Sequence, residues 1–249
     1  MSDDRPTVAV FRPDDGRLAA AVDLLESLDV EAIGDPMLAV EPTNVTPRED
    51  ADYAILTSPT AADLVADAGW DAGAAIVCAI GESTAEALRE AGYDVDLIPE
   101  EYSSSGLVSA LDGEVDGARV EVARSDHGSA LLLDGLEDAG AYLHETVLYR
   151  LVRPPESGQS VELAADGDLD GALFTSSLTV EHFLDAADER GVRDAAIAGV
   201  NDAVVGAIGT PTAETAAEHG IDVDVIPDTA DVEALARAVV EAVWTEKRS

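Results

Sequence analysis

Four hydroxyl side chains recur at fixed spacings, and their types suggest a site that binds anions. Ser58 and Ser176 each close a short apolar run with Thr-Ser, 118 positions apart. Thr84 and Thr212 each follow a glycine within matching segments, 128 positions apart. A hydroxyl at the start of a helix can cap that helix, or it can join the free backbone amides there in binding a carboxylate or phosphate. Both interpretations are open for each of the four residues.

The segments that carry these hydroxyls are copies of one another. Residues 80–99 and 208–227 are identical at twelve of twenty aligned positions, and residues 52–69 resemble residues 170–187. The two spacings differ by ten, which places a ten-residue difference in one loop. A unit of roughly 60–70 residues is therefore present twice, which is the size of half an α/β domain rather than of a solenoid repeat.

Each copy predicts alternating strands and helices. The runs "YAILTS" and "GALFTS" are typical of buried parallel strands that end where a helix begins. The next strand is expected in "AAIVCAIG" and in "DAAIAGV…VVGAIG", and a helix with hydroxyl caps follows each glycine, with Ser83 and Glu86 as a capping box. The alternating "YDVDLIP" and "IDVDVIP" predict a further strand in each copy. In an open α/β sheet, ligands bind at the carboxyl ends of such strands.

Two βαβ segments, one at the N-terminus and one at residues 118–147, complete two α/β domains. The domains could follow one another in sequence, or one could be inserted into the other. Two extended, proline-bounded segments favour insertion, because a double crossover needs two connecting strands. We therefore expect two doubly wound parallel-sheet domains of flavodoxin-like type, joined by a two-stranded β connector. The predicted outer domain, inserted domain and connector strands are 1–38 with 153–249, 41–148, and 36–44 with 145–155.

The charge balance excludes several classes of partner. The chain has 14 basic and 52 acidic residues, a formal net charge of −38, and the acidic residues are spread over its whole length. Such a surface is typical of proteins that work in molar salt, and it repels nucleic acid and anionic membranes. No apolar run is long enough to span a bilayer and no signal peptide is visible, so we expect a halophilic, cytoplasmic protein.

Common catalytic and cofactor motifs are absent from the sequence. It contains no dinucleotide-binding glycine motif, Walker motif, nucleophile elbow or zinc-protease motif. The single cysteine, Cys78, lies in an apolar run and is expected to be buried. The four histidines are scattered and are expected to be solvated: His127, His144, His182 and His219.

Taken in order, the motifs of this chain resemble those of the uroporphyrinogen-III synthase family. Each motif is weak alone, but their succession and spacing cover nearly the whole chain. They are "VAVFRP", "DPMLAVEP", "DYAILTSPTAADLV", "CAIGESTAEALREAGYDVDLIPE", "HETVLYRLVRP", "GALFTSSLTVEHFL" and "AIGTPTAETAAEHGIDVDVIPD".

The resemblance implies an enzyme that needs no cofactor or metal. Members of the family remove water from linear hydroxymethylbilane and close it to uroporphyrinogen III, with inversion of the last pyrrole ring. The substrate lies in the cleft between the two domains. The resemblance also implies a cytoplasmic protein, expected to be a monomer, that could receive its substrate from the preceding enzyme of the pathway.

The resemblance also assigns roles to individual residues. Tyr149 matches the connector tyrosine of the family and is expected to assist departure of the substrate hydroxyl as a hydrogen-bond donor. Thr60 stands where many members carry Arg or Lys. The residues expected to bind substrate carboxylates are Ser58, Thr84, Ser176 and Thr212, with Arg12 and Arg124 as cationic candidates. A non-enzymatic two-domain binding or regulatory protein for a small polyanion is the alternative.

Overall fold

The computed structural model describes residues 5–13 and 16–248, which form eight strands and ten helices. The strands are β1 (Thr7–Pro13), β2 (Glu31–Pro42), β3 (Tyr53–Leu56), β4 (Ile76–Ala79), β5 (Arg119–Ser125), β6 (Tyr142–Val152), β7 (Gly171–Phe174) and β8 (Val204–Ala207). The helices are α1 (Gly16–Ser27), α2 (Pro59–Asp67), α3 (Glu82–Glu90), α4 (Ser104–Leu111), α5 (Ala130–Asp138), α6 (Gln159–Asp166), α7 (Ser177–Arg190), α8 (Arg193–Asn201), α9 (Thr210–Glu218) and α10 (Val232–Glu246).

Internal contacts divide the chain into two compact units. The first unit contains residues 1–39 and 152–249, and the second contains residues 40–151. The chain passes from one unit to the other inside β2 and again inside β6. Both passages therefore lie in extended segments, which can leave one unit and enter the other without a loop.

The first unit is a parallel sheet covered by helices on both faces. Its strand order is β2-β1-β7-β8, and every neighbouring pair is parallel. Side chains alternate between the faces along each strand, so Ala9 and Phe11 pack with helices α6 to α9. Val8 and Val10 point to the other face, where they meet α1 and α10. This arrangement explains why β1 is apolar at successive positions.

The second unit has the same construction. Its strand order is β6-β5-β3-β4, again parallel throughout. Helices α2 and α3 cover one face with Val65 and Leu88, and helices α4 and α5 cover the other with Leu107 and Leu132. Cys78 is fully buried on the second face, and burial raises the pKa of its thiol to about 12, as expected for a structural cysteine. The predicted fold class is confirmed.

The two connector segments are hydrogen bonded to each other within the second unit. The Thr43 backbone N–H donates to the Leu148 carbonyl oxygen at 2.9 Å. The Thr43 hydroxyl donates to the Val147 carbonyl oxygen at 2.7 Å. Residues just beyond β2 are thereby held along β6.

The strands predicted in "YDVDLIP" and "IDVDVIP" are wrong in extent. Each segment forms a single parallel bridge, Cys78 to Leu97 and Gly206 to Val225. In the first copy the Asp96 carboxylate accepts the N–H of Val77 at 2.8 Å, and in the second Asp224 accepts that of Val205 at 2.9 Å. A side chain thus takes an edge amide that a longer strand would have bound with its backbone.

The segment "DAAIAGV" is also not part of a strand. It lies in α8, and only "VVGA" forms β8. The corresponding stretch of the first copy, between α2 and β4, has no helix. The ten-residue difference between the copies therefore corresponds to α8 and to the greater length of α7, 14 residues against 9 in α2.

Candidate functional site

The carboxyl ends of the strands in the second unit bring together four of the predicted residues. Helix α2 begins after β3 with Ser58 as its N-cap, and α3, which contains Thr84, begins after β4 with Gly81 as its N-cap. Arg124 lies near the end of β5. Tyr149 lies on β6 opposite the last residue of β5. The parallel register places all these positions at one edge of the sheet.

Tyr149 is a buried aromatic residue whose hydroxyl has a protein partner. Only 6% of the residue is exposed, and the ring packs in the cluster that contains Leu56 and Ala61. Its Oη lies 3.0 Å from the Oγ of Ser58. A buried, hydrogen-bonded phenol is held in one orientation. A side chain that donates a hydrogen bond to a reacting group needs such a fixed orientation.

Ser58 confirms the cap interpretation and adds a second contact. Its backbone is extended, and its Oγ accepts the N–H of Ala61 at 3.0 Å. Pro59 occupies the first helical position, where its missing N–H costs nothing. The Ser58 hydroxyl is therefore shared between the first turn of α2 and Tyr149.

Thr84 is not a cap, and the capping box expected from Ser83 and Glu86 is wrong. Gly81 is the N-cap, so Ser83 and Thr84 already lie inside the first turn of α3. A side chain at Gly81 would come within 3.2 Å of the Tyr102 ring, which explains why a glycine stands there. Thr84 is buried in this first turn, with 1% of the residue exposed.

Arg124 is largely occupied by contacts within its own unit. Its Nε donates to Glu145 at 2.6 Å, and its Nη1 donates to the Ser129 carbonyl oxygen at 2.6 Å. A Cβ on Gly128 would lie 2.6 Å from the Arg124 side chain, so the turn after β5 is built around this guanidinium. The structure therefore shows Arg124 neutralising Glu145, and its contact with a substrate stays a prediction.

The first unit presents a similar edge with different details. Ser176 caps α7 in a capping box with Thr179, because each side chain bonds the backbone N–H of the other. Thr212 occupies the same buried third position of α9 as Thr84 does in α3. Arg12 lies near the end of β1 and is half buried.

Strand register shows which residues correspond in the two units. In the second unit β5 and β6 pair Arg119 with Tyr142, and in the first unit β1 and β2 pair Thr7 with Glu31. Arg124 then corresponds to Arg12. The residue that corresponds to Tyr149 is Leu38, which is paired with the last residue of β1. The two edges are therefore alike in their hydroxyls and arginines, and unlike in their aromatic residue.

Two contacts of the site had no signal in the sequence. Ser58 and Tyr149 lie 91 positions apart, and Arg124 lies 21 positions from Glu145. Each pair meets only because β6 lies beside β5 in the folded sheet. No local pattern could therefore have predicted either contact.

The histidine prediction is wrong for His182, which is buried with its Nδ1 2.5 Å from the Met37 carbonyl oxygen. Within residues 5–13 and 16–248, no group of three or more His, Cys, Asp or Glu side chains is arranged to hold a metal ion. No helix in these ranges is long and apolar enough to cross a membrane.

A cavity of about 450 Å³ lies at the opposite edge of the second unit. Arg119, Tyr142 and His144 line it at the amino ends of β5 and β6. None of the predicted site residues lines this cavity, so the candidate site stays at the carboxyl ends.

The fold and the site together define a class of α/β proteins with two similar parallel sheets. In this class, serine and threonine residues in the first turns of helices lie at the carboxyl ends of the strands. Solved structures of this class cover almost all of the chain. A mutant uroporphyrinogen III synthase from Thermus thermophilus matches 97% of this chain and 99% of its own, with a TM-score of 0.68 and 20% identity. Uroporphyrinogen-III synthetase from Helicobacter pylori 26695 matches 96% and 99%, with a TM-score of 0.61 and 14% identity. At these identities the matches show a shared fold.

Sequence relatives identify the family. The family model described as uroporphyrinogen-III synthase HemD matches residues 19–237. A putative uroporphyrinogen-III synthase from Methanothermobacter thermautotrophicus is 34% identical over 230 residues, which cover 86% of this chain and 90% of the relative. One from Archaeoglobus fulgidus is 29% identical and covers 78% and 81%. The chain belongs to the uroporphyrinogen-III synthase family, a family of cyclising lyases.

Proposed function

We propose that this enzyme closes hydroxymethylbilane to uroporphyrinogen III with inversion of the last pyrrole ring. The observation that carries the proposal is the family match over residues 19–237. The buried, hydrogen-bonded Tyr149 hydroxyl at the carboxyl ends of the second sheet supports it.

Tyr149 is proposed to help the substrate hydroxyl to leave. Its O–H donates a hydrogen bond to that hydroxyl. The hydroxyl departs as water together with the N–H proton of the pyrrole that carries it, and a reactive azafulvene is left. The azafulvene carbon is then attacked within the last pyrrole ring, and a spiro intermediate rearranges to the inverted macrocycle. The last ring loses a proton and becomes aromatic again, and a proton returns to the pyrrole nitrogen that had lost one, so atoms and charge balance without an oxidant.

The remaining task of the protein is to hold the substrate in one geometry. The substrate carries eight carboxylates, and both units offer hydroxyls and free helix amides that can donate to carboxylate oxygens. Thr84 and Thr212 supply buried hydroxyls at equivalent positions. Arg12 and Arg124 are the proposed cations. Favouring one closure over the other tenfold requires only about 1.4 kcal/mol between the two barriers, so positioning can decide the product.

Further properties follow as part of the same proposal. The two compact units correspond to an outer domain and an inserted domain, and the protein acts as a cytoplasmic monomer. The net charge of −38 indicates a protein adapted to high salt. Because the azafulvene closes unaided to the uninverted isomer, we propose that substrate is received from the preceding enzyme with little delay.

The product itself tests the function. The protein is supplied with hydroxymethylbilane in molar salt, and the products are oxidised and separated as porphyrin isomers. We expect isomer III to be the main product with the protein, whereas a reaction without protein gives isomer I. If isomer I alone forms, the chain is a binding or regulatory member of the fold rather than a synthase.

Replacing Tyr149 with Phe tests the site. Tyr149→Phe removes the donor and keeps the buried ring, so we expect a lower III:I ratio and a kcat reduced by about tenfold or more. Tyr142→Phe is the matched control, because Tyr142 is on the same strand and is 71% exposed. An unchanged ratio in Tyr149→Phe would leave Tyr149 a structural residue.

A further inference from the structure

The hydroxyls of Ser58 and Tyr149 form a pair in which donor and acceptor can be assigned from their other bonds. Their oxygens are 3.0 Å apart, and either could donate. Each hydroxyl has one proton and two lone pairs. Ser58 already uses one lone pair to accept the N–H of Ala61 at 3.0 Å, and this bond fixes its Oγ at the start of α2.

If Tyr149 donated to Ser58, its proton would be occupied and no donor would remain for a substrate. If Ser58 donates to Tyr149 instead, the phenol accepts that bond and its own proton is free for a third group. Each donor then has an acceptor. The Ala61 N–H donates to the Ser58 hydroxyl, the Ser58 O–H donates to the Tyr149 oxygen, and the Tyr149 O–H donates to the departing hydroxyl.

The other copy of the repeat lacks this arrangement. Ser176 corresponds to Ser58, and its hydroxyl accepts the N–H of Thr179 at 3.2 Å as that of Ser58 accepts the N–H of Ala61. At the place of Tyr149 the first unit has Leu38, which has no hydroxyl. The Thr179 side chain bonds only the backbone N–H and carbonyl oxygen of Ser176, so it does not take the place of the tyrosine. The difference at these paired positions sets the Ser58–Tyr149 pair apart from ordinary helix capping.

We propose that Ser58 is a positioning residue that acts through Tyr149: its O–H donates to the Tyr149 Oη and directs the phenol proton to the substrate hydroxyl. Ser58 is then not a carboxylate ligand of its own, which differs from the role expected from the sequence. This inference rests on the proposed synthase function.

The experiment compares Ser58→Gly with Tyr149→Phe and with the double variant, using hydroxymethylbilane in molar salt. Glycine is a good N-cap, so Ser58→Gly removes the hydroxyl with little loss of helix stability. We expect kcat and the III:I ratio to fall about three- to tenfold, with KM nearly unchanged. In the Tyr149→Phe background the same substitution is expected to have no further effect, because the pair acts as a unit. Ser58→Thr restores a hydroxyl and is expected to recover most of the activity.

Ser103→Gly is the matched control. Ser103 is the N-cap of α4 in the same unit, and it accepts the N–H of Gly106 at the same 3.0 Å. It has no tyrosine partner among the described residues, and we expect activity close to that of the unchanged protein.

Three outcomes would overturn the inference. If Ser58→Gly raises KM, and if this rise adds to the effect of Tyr149→Phe in the double variant, Ser58 is a direct substrate ligand. An effect no larger than that of Ser103→Gly would make it only a cap. Failure of Ser58→Thr to recover activity would also contradict a role for the hydroxyl. Formation of isomer I alone by the unchanged protein would instead reject the synthase function, so the two failures are distinguishable.

Discussion

Glu121 is a buried acid at a place where the other copy of the repeat has an apolar residue. It is 1% exposed, its Oε2 lies 2.7 Å from the Nδ1 of His144, and its Oε1 has no partner in the described part of the chain. Strand register pairs Glu121 with His144 as it pairs Ala9 with Ile33 in the first unit. The polar pair therefore replaces an apolar pair without changing the strands.

We expect the double substitution Glu121→Ala/His144→Ile to keep or raise stability. It installs the residues that the first unit has at these positions, and replacing a buried polar pair by packed apolar residues is often neutral or favourable. His144→Ile alone leaves the buried carboxylate without its partner, so we expect a loss of about 1–3 kcal/mol, reduced by the partial exposure of His144. Urea unfolding of both variants measures this. If the double variant is less stable than His144→Ile, the Glu121–His144 pair is not a simple replacement of the apolar pair in the first unit.

For single residues, the sequence could predict those roles that depend only on neighbouring residues in the chain. The Thr-Ser pattern located Ser58 and Ser176 as helix starts, because capping is decided within four residues. It could not predict that Ser58 meets Tyr149, since that contact depends on how β6 is placed beside β5. The error at Thr84 has a local cause: the glycine before the helix is itself the cap.

Strands β3 and β5 are joined at their amino ends by an aspartate that precedes β3. The Asp52 Oδ2 accepts the backbone N–H of Arg119 at 2.9 Å, and its Oδ1 accepts a bond from Nη2 of the same residue at 3.0 Å. These hydrogen bonds to Arg119 lower the pKa of Asp52 from 3.8 to about 2. In the first unit Asp170 accepts the N–H of Thr7 at 2.8 Å in the same way. An aspartate that closes the start of the sheet is thus part of the duplicated unit.

Asp52→Asn is expected to lower stability at neutral pH and to have less effect in acid. Because the folded pKa lies below the unfolded one, the charged carboxylate stabilises the fold above about pH 4, and this contribution is lost as pH falls through about 2. Urea midpoints of both proteins, measured across this range, should therefore converge at low pH. Asp50→Asn is the control, since Asp50 contacts only Nη1 of Arg119 and is more exposed. A difference that stays constant with pH would contradict the role of Asp52.

Elements were predictable where hydrophobic pattern and tertiary environment agree. The strand-helix alternation was confirmed because buried parallel strands are continuous apolar runs. The prediction was wrong for "DAAIAGV", whose small apolar residues suit a buried helix as well as a strand. It was wrong for "YDVDLIP" because alternation cannot show that Asp96 will bind the edge amide. Helix α6 has no counterpart in the second unit, so the repeat offered no guide to it.

The net charge of the whole molecule opposes both folding and substrate binding. A net charge of −38 on 249 residues repels itself, and it also repels a substrate with eight carboxylates. Between about 0.1 M and about 1 M salt the Debye length falls from about 10 Å to about 3 Å, so repulsion between distant charges nearly disappears. The proposed adaptation to high salt resolves this conflict, because the same ions that screen the fold also let the substrate approach.

We therefore expect activity and the thermal unfolding midpoint both to rise steeply with KCl over this range. Unfolding is followed by circular dichroism, and isomer III formation is measured at the same KCl concentrations. Two causes of lost activity can be separated, because repulsion of the substrate raises KM in protein that is still folded, whereas unfolding lowers the active fraction and leaves KM unchanged. A neutral osmolyte at matched osmotic strength is the control, since it strengthens burial without screening charge. Full activity and an unchanged midpoint in dilute buffer would contradict the adaptation while leaving the synthase function intact.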